Sequence, residues 1–292
     1  MNKFLPLTSC LLLSFSVLLT AQEDKATPPG LGDPGALQSI DIDNVDDNQT
    51  TIISGRDAGL QVIVTGNYDS GQHRDLTRDV VYSSAPTGFV EVSSSGFVSP
   101  IAEGAVVITA KFDGKLSTTV SIQVTNIVKD LAVNFPNEVT PVFTKFGCNG
   151  GGCHGKSSGQ NGFRLSLLGF EPEEDYEFLV KEGRGRRVFP AAPERSLLLQ
   201  KAVGVVPHGG GARLSGDSPS YRLLSRWIEQ GMPYGQPEDP TVTRIVVLPE
   251  ERLMQRDGAQ QISVFAYFSD GSMRDVTRTT AFDSNSTEMA EV

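Results

Sequence analysis

A chain of 292 residues is long enough for about two domains with real cores. Its 25 Lys and Arg against 35 Asp and Glu leave a net charge of −10, and no basic cluster supplies the footprint that nucleic acid or anionic headgroups require. With 30 glycines, 17 prolines and 38% hydrophobic residues, the composition suits many turns around packed cores and excludes collagen-like and disordered classes.

In chain order, Met1-Asn2-Lys3, the apolar run from Phe4 to Leu19 and then Thr20-Ala21-Gln22 read as a secretory signal peptide over residues 1–21. That reading predicts an extracytoplasmic protein, periplasmic or secreted, with no transmembrane segment in the mature chain. Cleavage would remove Cys10 and leave Cys148 and Cys153 as the two thiols meeting an oxidising compartment. Residues 22–36, with Pro28, Pro29, Gly30, Gly32, Pro34 and Gly35, read as a linker.

From 37 to 126 short β-rich runs alternate with turn signals, the pattern of an antiparallel β-sandwich. A shift of 200 positions aligns Gln61–Val92 with Gln261–Val292 without a gap, and 11 of the 32 pairs are identical. The shared centre is Gly71-Gln72-His73-Arg74-Asp75-Leu76-Thr77-Arg78 against Gly271-Ser272-Met273-Arg274-Asp275-Val276-Thr277-Arg278. At such a turn Gly supplies positive φ, while Asp and Thr bond nearby amides, so its expected role is structural. These residues resemble the bacterial Ig-like group 2 family, whose modules carry a similar D-G-x-x-x-D-V-T turn. The resemblance implies an Ig-like β-sandwich at 37–126 and a second, partial module at 240–292. Because the second copy stops at the equivalent of Val92, the reading expects a longer polypeptide, with any catalysis redox in kind or located beyond residue 292.

Residues 127–239 change to helical texture. Thr140-Pro141 opens one helical run, Pro172–Lys181 and Pro193–Val203 are others, and Asp217-Ser218-Pro219 caps a helix with Tyr221, Leu224, Trp227 and Ile228 on one face before Gly231. The expected architecture is therefore multidomain: an all-β sandwich, a mainly α domain, and an incomplete β module.

Chemistry concentrates at Cys148-Asn149-Gly150-Gly151-Gly152-Cys153-His154, a C-x4-C-H run holding both mature thiols and one of three histidines. Covalent attachment of haem c uses two thiols on one loop with the next His on the iron, normally with two residues between the thiols. Three glycines are able to loop out the extra length. This run, with Gly159-Gln160-Asn161-Gly162-Phe163-Arg164-Leu165-Ser166-Leu167-Leu168-Gly169-Phe170, resembles the planctomycete cytochrome-c-like modules of large secreted bacterial proteins. The resemblance implies a mono-haem electron-transfer domain at 127–239, with Cys148, Cys153 and His154 holding the haem, Arg164 on a propionate, and an unknown redox partner. His208 in Pro207-His208-Gly209-Gly210-Gly211 is the first candidate for the second iron ligand, and Met232 the alternative.

Other readings of the run stand beside haem. They are a plain Cys148–Cys153 disulfide, zinc on Cys148, Cys153, His154 and His208, and copper or another metal. Trp227 reads as core, His73 as a solvated turn residue, and Arg184, Arg186 and Arg187 as a solvated basic loop. No catalytic constellation is found: paired carboxylates, G-x-S-x-G, phosphate loops and metalloprotease motifs are all missing. The competing function is a non-redox extracytoplasmic adhesion or binding protein. Its Ig-like modules would meet a surface polymer or a protein, and its Cys pair would be a structural disulfide.

Overall fold

The computed structural model describes residues 30–45 and 50–292. The signal-peptide reading and most of the linker reading fall outside these residues. Ten strands come first: β1 (Leu37–Ile42), β2 (Thr51–Ser54), β3 (Leu60–Gln61), β4 (Val64–Tyr68), β5 (His73–Asp75), β6 (Val81–Ala85), β7 (Val90–Val92), β8 (Phe97–Pro100), β9 (Gly104–Phe112) and β10 (Leu116–Thr125). They form sheets ordered β1-β4-β5, β2-β10-β9-β6 and β3-β8-β7. In β9 and β10 alternate residues point inward, so Val106, Ile108, Ala110, Val120, Ile122 and Val124 share one core with Ile40, Ile42 and Val64. Asp113 and Gly114, both at positive φ, make the tight turn that joins this long hairpin. The Ig-like β character read from the sequence is present.

Three later strands, β11 (Val242–Leu248), β12 (Ser263–Phe268) and β13 (Met273–Asp275), repeat the first sheet. Ile40 faces Gly66 and Ile42 faces Val64; 200 positions on, Ala266 and Val264 face Ile245 and Val247. One face of this sheet carries Phe265 into the core of the first module, with Leu248, Tyr267 and Met273 packed against it. On the other face Ile245 and Val247 are 61% and 43% exposed, where their counterparts Ile40 and Ile42 are each 4% exposed beneath the second sheet.

The intervening segment departs from the expected mainly α, cytochrome-c-like domain, and that expectation is corrected. Its α-helices are α1 (Thr140–Lys145), which continues a π-helical turn at Phe135–Val139, α2 (Pro172–Tyr176), which runs on as a π-helical turn over Glu177–Lys181, α3 (Leu197–Ala202) and α4 (Pro219–Glu229). The cause is backbone geometry. Positive-φ residues recur at Gly147, Gly159, Asn161, Gly162, Leu168, Gly169, Gly185, Gly204 and Gly211, and right-handed helix cannot run through them. What remains is short 3-10 turns and loop wrapped on a second core. Phe135 lies at its centre, ringed by Phe143, Tyr176, Trp227 and Tyr234 at centroid distances of 5.3–6.4 Å. Trp227 is fully buried and its indole N–H donates to the Pro233 carbonyl at 2.9 Å, which bears out its reading as core. No helix among the described residues is long and apolar enough to cross a membrane.

The aromatic ring around Phe135 generates a prediction. Phe135→Ala removes a fully buried ring from a site fenced by other rings that cannot collapse into the gap, so it should cost about 3–5 kcal/mol. Denaturant unfolding monitored by Trp227 fluorescence measures this.

Candidate functional site

The C-x4-C-H run leaves the end of α1 and folds into nested turns. The Cys148 amide donates to the Phe143 carbonyl at 2.8 Å, Cys153 to Gly150 at 2.9 Å, and His154 to Cys148 at 3.0 Å. The last bond brings the two cysteines together on one wall. Gly155 is required here, because a Cβ at that position would lie 1.9 Å from the Asn149 carbonyl oxygen. Two further bonds pin the histidine: the Leu165 amide donates to the His154 carbonyl at 2.8 Å, and His154 Nδ1 meets the Phe163 carbonyl at 2.9 Å. Across the cavity His208 Nδ1 meets the Gly211 carbonyl at 2.8 Å. The two imidazoles are nearly parallel, at 7° and 6.3 Å between centroids.

These groups open onto a cavity of about 500 Å³. Phe143, Phe163, Leu165, Leu179, Leu197, Leu198 and Ala202 give it an apolar floor, while Arg186, Arg187, Lys201 and Arg213 bring four cations to its lining. No Asp or Glu lines it, although acids outnumber bases in the chain. Sequence reasoning missed this reversal of charge. The signal was there, since residues 195–216 contain Arg195, Lys201, His208 and Arg213 and no acid.

The structure brings Cys148, Cys153, His154 and His208 to one cavity and separates the other candidates from it. Arg164 stacks over the Phe178 ring at 3.9 Å and lines a smaller, separate pocket with Glu174. Met232 packs against the aromatic core, its carbonyl accepting the Tyr176 hydroxyl at 2.7 Å. Arg187 is no solvated loop residue: it is buried, and its guanidinium donates to the Phe178 and Glu182 carbonyls at 2.8 and 3.0 Å. His73 is exposed, as read.

Burial, opposed in part by Arg213 and reinforced by Cys153, pushes the Cys148 thiol up to about 11. The thiol is therefore protonated at neutral pH and poorly nucleophilic. For His154 burial is again the first cause and lowers its pKa from 6.5; the Phe163 carbonyl opposes it, while His208, Arg187 and Lys201 add to it.

No family model matches the chain. Among curated proteins it is similar to Ice-binding protein 1 of Shewanella frigidimarina (strain NCIMB 400), 33% identical over 93 residues. The match spans 30% of this chain and a tenth of that protein. Among solved structures it is similar to domains 4 and 5 of the S-layer protein SbsC (24% identity, TM-score 0.25, 31% of this chain and 53% of that one). It is also similar to an intimin mutant of EHEC O157:H7 (23% identity, TM-score 0.20, 29% of this chain and 42% of that one).

The expectation of a haem-binding, metal-binding, electron-transferring protein is corrected by the geometry of the described residues. Among the described residues no group of three or more His, Cys, Asp or Glu is placed to hold a metal ion. Two of the residues expected to serve a haem, Arg164 and Met232, lie away from the cavity, and four residues lie between the thiols in place of two. The run therefore departs from the c-type attachment pattern in its spacing.

A histidine whose pKa is lower folded than unfolded binds fewer protons in the native state, so stability rises with pH through that window. The contribution of His154 is intact above about 6.5 and is lost as pH falls below it. His154→Gln should flatten the stability curve between pH 7 and pH 5, read as the urea midpoint at each pH, and the wild-type imidazole should titrate below 6.5 by NMR.

Proposed function

We propose that this chain is a non-redox extracytoplasmic binding protein. Ig-like β modules hold the cavity segment, Cys148 and Cys153 close a structural disulfide, and the cavity takes a small organic anion with an apolar body. The observation that carries this reading is the cavity itself. Its volume of about 500 Å³ lies in the range of preformed ligand sites. Its apolar floor suits a hydrocarbon or aromatic body, and its cations without a single acid suit a carboxylate or sulfonate head.

Two further observations support it. Cys148 and Cys153 lie on one turn, both half-buried and both free thiols in this structure, and an oxidising compartment converts such a pair to a disulfide. The curated relative carries binding in its name, and the signal-like N-terminus favours export. Since the match covers a tenth of that relative, its own ligand is not transferred to this chain.

Calorimetric titration with dodecanoate and with 8-anilinonaphthalene-1-sulfonate tests the reading. Saturable one-site binding is expected. Ala202→Trp, which fills the floor, should weaken it by about tenfold or more, the loss of one or two well-made contacts. Lys201→Ala with Arg213→Ala should weaken it and reduce its dependence on salt. Binding of neither probe, or binding indifferent to all three substitutions, would overturn the proposal.

A further inference from the structure

The duplicated turn does more than reverse the chain. Inside each module its bonds are the same. Asp75 Oδ1 accepts the Thr77 amide and Asp275 Oδ1 accepts the Thr277 amide, both at 2.8 Å. Thr77 Oγ1 accepts the Val64 amide at 3.0 Å and Thr277 Oγ1 accepts the Val264 amide at 2.8 Å. A turn needs only these, and an Asn would serve as well as an Asp.

The second oxygen of each carboxylate leaves its own module. Asp275 Oδ2 accepts the Gln61 amide at 2.6 Å, and Asp75 Oδ2 accepts the Gln261 amide. Gln61 and Gln261 are equivalent in the 200-residue shift, as are Asp75 and Asp275. Residue i of one copy therefore binds residue j of the other, and j binds i, the signature of a two-fold, self-complementary contact. Around it Phe265 enters the core of the first module, Arg278 lies over the Phe97 ring at 3.4 Å, and Arg252 pairs with Asp43 at 3.3 Å. Burial raises the Asp275 carboxyl, a cost that the Gln61 and Thr277 amides offset.

We infer that the repeated Arg-Asp-x-Thr turn, with the Gln fourteen residues before its Asp, is a reciprocal docking element. The partner it fits is another module of the same kind, and in this chain the two copies take each other. The contact joins positions 214 and 186 residues apart, so it fixes both ends of the intervening cavity segment. An Asn at either Asp satisfies one of the two amides and turns an N–H donor toward the other.

Amide hydrogen exchange on the full chain reads the crossing directly. Asp275→Asn should speed exchange at Gln61, and Asp75→Asn at Gln261, by about tenfold or more, the cost of one unsatisfied buried donor. Each effect appears in the module that was not altered. Acceleration confined to the altered module, with the crossed amide at its wild-type rate, would overturn the inference. Should either variant lose its sheet signal by circular dichroism, the unaltered chain supplies the second measurement. A nuclear Overhauser contact between the Gln61 amide proton and the Asp275 β-protons is expected, and its absence in an assigned spectrum would overturn the inference.

Discussion

Three hydrogen bonds around one histidine hold the site. The His154 amide is spent on Cys148, its carbonyl on Leu165, and its Nδ1 on Phe163. Together they tie the cysteine turn to the segment after it and fix the wall that carries both thiols. Remove that tie and the glycines between the cysteines, which make almost no side-chain contacts, keep only the turn bonds through Gly150 to order them. The cavity opposite exists because this wall is rigid and because α3 and the His208 loop stand across from it.

The chemistry then follows from what the wall and floor present. In the reduced chain burial keeps the Cys148 thiol protonated, and it keeps His154 neutral to lower pH than usual. Neither is poised for nucleophilic work. The cations are different, because charge that an acidic chain collects on one concave surface is available to a ligand instead of being neutralised in place. Arg187 is the exception, since its guanidinium is spent on backbone carbonyls. Lys201 donates to the Pro207 carbonyl at 2.8 Å, and a carbonyl leaves its charge uncompensated.

The β modules were legible because their signal is redundant. Period-two alternation, turn residues and an internal repeat all say the same thing, and the repeat extends to the register of Ile245 on Ala266. The α4 helix was legible for a similar reason: Ser218 caps it, accepting the Tyr221 amide, and Gly231 at positive φ ends it. The helical run read at Pro172–Lys181 is present, as α2 continued by a π-helical turn over Glu177–Lys181. Pro193–Val203 misled, because Ser196 in extended backbone separates a short 3-10 turn from α3, and the positive φ at Leu168 and Met232 is invisible in residue type, since neither is Gly or Asn. The placement of Arg164 failed for a related reason. Its side chain follows the backbone to the Phe178 ring, and sequence order near a motif says nothing about which side of the wall a residue takes. Lys201 and Arg213 share an acid-free run of sequence, whereas Arg186 joins them at the cavity only through folding.

The account stands on the two cysteines being a staple for a binding cavity and not an attachment point. Mass spectrometry of the chain exported from its own cells, taken intact and after alkylation without reductant, tests that most directly. The account predicts the mass of the polypeptide less two hydrogens, with no alkylated thiol and with a cross-linked peptide joining Cys148 to Cys153. Added covalent mass on either cysteine, or two freely alkylated thiols, would contradict it.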